Sequence, residues 1–175
     1  MILITMMIIR WVIHILVDKI WIGVFGGLKM KKLKKINQAE LEKKLELHQM
    51  WLNDNPAGCQ LDLSSHCLRN VNLKGSDLQY ANIKEADLQG LNLNGCDLRY
   101  ADISCSYLEG VKLEDADLEG ANFYGAFLEG VTLYESNITW ANFDCARIGK
   151  TILSKAVLDM SSADYNKFTK FNGDY

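Results

Sequence analysis

Ala116-Asp117-Leu118-Glu119-Gly120 runs straight into Ala121-Asn122-Phe123-Tyr124-Gly125, and this stretch states a rule that the chain obeys far beyond it. A large apolar residue, position i, has a small residue two places before it and Asp or Asn one place before it. Gly follows two places later. Extended in both directions, position i is Leu, Ile or Phe at every fifth residue from Leu63 to Leu158, twenty times without a break. The small partner recurs as Ala81, Ala86, Cys96, Ala101, Ser106 and Ala126, and the Asx position as Asp77, Asn82, Asp87, Asp97 and Asp102. A strict short period marks a repeat architecture, in which each unit buries its apolar side only by stacking on a neighbour.

Five is the period of neither a helix nor a strand. A helix would spread the apolar column around its circumference, and a strand would send alternate members to opposite faces. A five-residue segment ending in a corner restores the same orientation in every unit. Within it, alternation turns i−2 and i inward together, while i−1, i+1 and i+2 face water. Gly and Asx near the corner supply permissive dihedrals and short side-chain to backbone bonds.

This A-(D/N)-L-x-G pattern resembles the pentapeptide-repeat family over residues 61–160. The resemblance implies an all-β solenoid, a right-handed quadrilateral β-helix with four pentapeptides to a coil. Twenty units then make about five coils and a rod roughly 24 Å long at a rung spacing near 4.8 Å. Residues twenty apart share a side, so Leu78, Leu98, Leu118, Ile138 and Leu158 form one inner ladder.

The chain divides into an apolar leader (1–29), a basic segment with a capping helix (30–58), the array (61–160) and a tail (161–175). Its 175 residues are 49% hydrophobic, contain one proline and carry a formal charge of −3, which suits one array rather than two globular domains. The charge is uneven: residues 1–60 sum to +4 and residues 101–140 to −7, so the middle of the rod is an acidic belt. Five cysteines form no CxxC pair and read as reduced thiols of a cytoplasmic protein.

In the leader, Arg10, His14, Asp18 and Lys19 interrupt the apolar run, and each central charge would cost a spanning helix about 2.5–3.5 kcal/mol. Three readings stay open. It is an upstream extension with Met30 as the working start, an imperfect membrane anchor, or an amphipathic segment lying on a membrane or on the rod. Residues 37–52 read as a helix: Asn37 with Glu40 makes a capping-box start, and Ile36 with Leu41 a hydrophobic staple. Leu41, Leu45, His48, Trp51 and Leu52 give it one apolar face, suited to covering the open first coil. The Trp51-Leu52-Asn53 ending resembles that of helices preceding other pentapeptide arrays.

Catalytic signatures such as GxSxG, GxGxxG, the P-loop and HExxH do not occur, and no cofactor, metal site or enzymatic activity is expected. His66, Cys67 and Cys59 match no standard metal spacing and read as end packing. The Asp77, Asp97 and Asp117 ladder reads as backbone-tying Asx rather than paired acid catalysis.

Bulky residues do break the Asx rule at Tyr107 and Phe127, with Glu109 and Glu129 beside them. Across the next corner come Glu114, Asp115, Tyr134 and Glu135. Exposed aromatics amid acids have the composition of a contact patch, although cross-strand aromatics also serve as stabilisers. The pair Tyr80–Tyr100 reads as the latter.

The leading expectation is a non-catalytic scaffold for an unknown protein partner, with no direct nucleic-acid contact. One alternative is an acidic DNA mimic: the resemblance extends to proteins that shield DNA gyrase from quinolones. Against it, the acidity spans about two coils, and residues 161–175 hold no long apolar helix for a two-fold dimer. The other is a scaffold tethered to a membrane by residues 1–28.

Overall fold

Single-residue bridges, rather than long strands, tie the chain together in the computed structural model, which describes residues 32–149. Asp62, Asn82, Asp102, Asn122 and Asn142 form one parallel line, here side one. Cys67, Asp87, Tyr107, Phe127 and Arg147 form side two, Asn92, Lys112 and Thr132 side three, and Asp77, Asp97, Asp117 and Asn137 side four. Every step is twenty residues, so four pentapeptides close one coil and the array is a β-helix solenoid.

The inward column behaves as its period requires. Every position i from Leu63 to Ile148 is buried, as is nearly every i−2 residue, including Ala81, Cys96, Ala101 and Ala121. Most corners are β-turns closed by a bond such as Ala81 N–H to Leu78 O at 3.0 Å, while Ala86 N–H turns instead to Ser106 Oγ at 3.1 Å. The third residue of nearly every turn lies in the left-handed region, Asn70 excepted, as a type II turn demands. Seven glycines meet that demand, but so do Ser65, Tyr80, Glu85, Tyr100, Cys105, Asp115, Glu135, Trp140 and Cys145, with φ between 54° and 59°. A non-glycine residue there carries a strain of about 1–2 kcal/mol, which the inter-coil bonds on either side hold in place. Asx side chains secure the segment before the turn: Asp97 Oδ1 accepts from Arg99 N–H at 3.2 Å and Asn122 Oδ1 from Tyr124 N–H at 3.1 Å. Asp87 departs from the outward expectation; it is buried, because Arg69 Nε closes on its Oδ2 at 2.6 Å.

Strand β1 (Lys34–Lys35) pairs in parallel with β2 (His66–Cys67) and so adds a rung to side two ahead of the first coil. Helix α1 (Gln38–Leu52) follows, and Asn37 Oδ1 caps it by accepting from Glu40 N–H at 2.9 Å. Ile36 and Leu41 are both buried, as the staple requires. The return path is tight at Gly58, where a Cβ would stand 2.2 Å from Trp51 N. Only glycine fits there, and the next residue, Cys59, bonds back to Leu47 O at 3.0 Å. Among the described residues no helix is long and apolar enough to cross a membrane. The leader and tail expectations lie outside the described residues.

Candidate partner surface

Tyr107 and Phe127 occupy consecutive rungs of side two, so their rings inherit the rung spacing and stack with centroids 5.0 Å apart and planes 13° from parallel. Arg147 continues the column, its Cζ 5.0 Å from the Phe127 centroid, a geometry in which a guanidinium is attracted to the ring face. Tyr107 remains 41% exposed. Glu109 and Glu129, two residues further along each rung, are exposed, and Glu109 accepts from Gln89, which in turn accepts from Arg69.

The corner that follows is Gly90, Gly110 and Gly130, and a Cβ added at Gly90 or Gly110 would meet nothing within 4 Å. Beyond this bare edge lies side three. There Glu114 accepts from Asn94 Nδ2 at 2.8 Å, while Asp115, Tyr134 and Glu135 are exposed. Tyr107, Phe127, Glu109 and Glu129 therefore line one side of the glycine corner, and Glu114, Asp115, Tyr134 and Glu135 the other.

The remaining acids of the belt are spent internally. Asp102 pairs with Lys84 at 3.0 Å and accepts from Ser104 Oγ at 2.6 Å. Burial opposes its charge, yet the bonds from Ser104 and Lys84 prevail and hold the carboxyl below its ordinary range. Asp117 accepts from Asn137 Nδ2 at 2.9 Å and lies 3.7 Å from Arg99 Nε, while Arg99 Nη2 grips Asp97 at 2.6 Å. The Asp77, Asp97 and Asp117 carboxylates each tie down a backbone N–H two residues on. Among the described residues no three His, Cys, Asp or Glu groups gather to hold a metal. His66 Nδ1 instead bonds Ser64 O at 2.9 Å, and Cys59 is exposed.

The Tyr80–Tyr100 pair belongs to a longer aromatic column. His48 stacks on Trp51 (5.7 Å), Trp51 meets Tyr80 edge-on (6.2 Å), and Tyr80 stacks on Tyr100 (5.2 Å). The Tyr100 ring leans over Gly120, where a Cβ would stand 2.6 Å from it. Next in the column is Trp140, 68% exposed, a residue the sequence reading passed over although its twenty-residue offset from Gly120 was visible.

Residues 76–115 and 112–148 match the sequence profile of pentapeptide repeats, in eight copies. Residues 76–148 form a pentapeptide-repeat array. No curated protein matches the chain. Among solved structures, a pentapeptide repeat protein of the Arabidopsis thaliana thylakoid lumen is 22% identical, with a TM-score of 0.44; the match covers 63% of this chain and 72% of that one. HetL of the cyanobacterium Nostoc, a pentapeptide repeat protein involved in heterocyst differentiation regulation, is 30% identical with a TM-score of 0.30. That match covers 59% of this chain, which spans about half (48%) of HetL. QnrB1, a plasmid-mediated fluoroquinolone resistance protein, is 17% identical with a TM-score of 0.27, over 65% of this chain and 66% of that one.

Proposed function

We propose that this pentapeptide-repeat chain is a non-catalytic rod of about five right-handed coils that binds another protein through the surface flanking the glycine corner. The Tyr107–Phe127 stack carries the reading. Two rings stand where the repeat commonly uses Asx, beside a side-chain-free edge and exposed carboxylates, and well-ordered aromatics at the centre of a polar rim are the usual anchors of a protein interface. A solenoid side is also rigid, so binding there orders few new side chains. The cytoplasm is the compartment this reading assumes.

The decisive experiment compares capture by the unmodified chain, a Tyr107→Ala/Phe127→Ala variant and a Tyr124→Ala control on side one, all checked by thermal melting. Loss of one and the same captured protein in the double variant alone supports the surface. Equal capture by all three removes it.

The net charge of −7 over residues 101–140 favours a second reading, mimicry of DNA toward gyrase, through complementarity to a basic groove. The internal use of Asp102 and Asp117 leaves the acidity lopsided, which suits a one-sided protein contact better. A supercoiling assay with a quinolone, with and without the chain, separates the two. Tethering to a membrane is tested by fractionating cells that express the full chain or a version starting at Met30.

A further inference from the structure

The corner column that ends side four reads Tyr80, Tyr100, Gly120, Trp140. All four share the left-handed state, with φ of 59°, 57°, 63° and 57°, which bulky residues seldom accept. Tyr80 and Tyr100 offset the strain by stacking on each other, 5.2 Å apart and 10° from parallel. Trp140 does not offset it by burial. At 68% it is the most exposed of the described large apolar side chains. An indole held at a strained corner and left in water points to a ligand rather than to packing.

The column leaves a gap of fixed size beneath that indole. Tyr80 and Tyr100 stack on consecutive rungs, so the second face of Tyr100 turns toward the rungs above. Gly120 lays no side chain on it, and the ring fills the space a Cβ would need, only 2.6 Å from it. Through the bridges Asp97↔Asp117 and Asp117↔Asn137, Trp140 stands two rungs from Tyr100, about 9.6 Å. Rings that far apart do not stack on each other. A group centred between them would be about 4.8 Å from each, within the roughly 6 Å reach of a cation–π contact.

A carboxylate borders the same gap. Glu119 precedes Gly120 and accepts from the Tyr100 hydroxyl at 3.2 Å, and Gly120 N–H donates to Thr139 O at 2.8 Å, which seats this rung directly below Trp140. Arg99, one rung below Glu119, is already held by Asp97 at 2.6 Å and lies 3.7 Å from Asp117. Residues 101–140 sum to −7, so the field here favours a cation.

We propose that Tyr100, Trp140 and Glu119 form a site for a quaternary ammonium ion, a small free solute of the choline kind, seated over Gly120 between the two rings. Allowing about 3.5 Å for contact with the rings leaves about 6 Å, the girth of a trimethylammonium head. A flat guanidinium would touch one ring and leave the other bare. A lysine ammonium would keep its water, whereas a methyl-covered cation has no N–H to solvate and gains from aromatic faces. The site lies diagonally across the rod from the glycine corner and does not rest on the partner surface.

The test titrates the full chain with choline and follows the choline methyl proton resonances. The methyls move upfield under the ring currents and saturate with a Kd of about 1 mM, a readout that needs no variant. The neutral analogue 3,3-dimethylbutanol and the flat cation methylguanidinium each bind at least about 10-fold more weakly. Trp140→Ala, checked by melting, lowers the affinity at least about 10-fold, Glu119→Gln lowers it about 3-fold, and Tyr107→Ala leaves it unchanged. A shift that never saturates, equal binding of the neutral analogue, or full affinity in Trp140→Ala overturns the proposal. So does Trp140-dependent capture on phosphatidylcholine vesicles without binding of free choline.

Discussion

Gln38 uses both ends of its side-chain amide on one residue of the array: its Oε1 accepts from Asn72 N–H at 2.8 Å and its Nε2 donates to Asn72 O at 3.4 Å. An amide of α1 thus imitates the rung that side three lacks above the first coil. Lys44 Nζ reaches Asp62 O at 3.4 Å on side one, His48 Nδ1 accepts from Leu61 N–H at 3.1 Å, and β1 covers side two. An open β edge is a template for other chains, so the cap works by hydrogen-bond replacement as well as by apolar cover. Replacing Gln38 with Leu should cost about 1 kcal/mol, since the pair is partly exposed, and should speed hydrogen exchange at the Asn72 amide while the interior Lys112 amide, bonded to Leu91 O at 3.0 Å, stays slow. An unchanged Asn72 rate would show that water already serves that edge.

His48 makes the cap sensitive to acid. It is fully buried, and its Nδ1 must be unprotonated to accept from Leu61. Burial lowers its pKa, opposed by the charge of Asp77 and the Gln79 backbone. The unfolded imidazole titrates near 6.5, so the unfolded chain takes up a proton first. The contribution of His48 is whole above about pH 6.5 and is lost as pH falls through the lower folded value. Denaturant midpoints measured from pH 7.5 down to 5 should therefore fall more for the native chain than for His48→Gln. Parallel profiles would refute this.

Leu98 sits fully buried between Leu78 and Leu118 of the same ladder. Neighbouring coils are fixed by their bridges and cannot close on a void, so Leu98→Ala should cost about 2–5 kcal/mol. A melting shift under about 2 °C would place this side chain elsewhere than in a packed core.

Gly120 and Gly110 share a left-handed corner state, φ 63° and 68°, but only Gly120 lies under a ring. Gly110→Ala should therefore cost only the backbone strain of about 1–2 kcal/mol. Gly120→Ala should cost visibly more and also displace Tyr100 from Tyr80, which near-ultraviolet circular dichroism reads directly. Equal costs would mean that the ring moves aside freely.

Much of this was legible beforehand because the repeat is local. The five-residue period correctly assigned Leu63 through Ile148 to the interior, and the twenty-residue offset foresaw the Tyr107–Phe127 and Tyr80–Tyr100 stacks. The N-cap at Asn37 was readable for the same reason, being a contact three residues long. What escaped were the rung made by Lys34–Lys35, the grip of Gln38 on Asn72 and the burial of Asp87 under Arg69. None of these recurs with the period, and the cap contacts span more than thirty residues.

Composition and spacing by themselves decided which way each array residue points and which column it joins, because pleat alternation and a corner every fifth residue leave no other orientation. The folded chain alone decided what closes the first coil and which side chains reach from one rung to another. Those outcomes depend on distances between segments remote in sequence, and on how far a side chain such as Tyr100 or Arg69 can reach once its backbone is fixed.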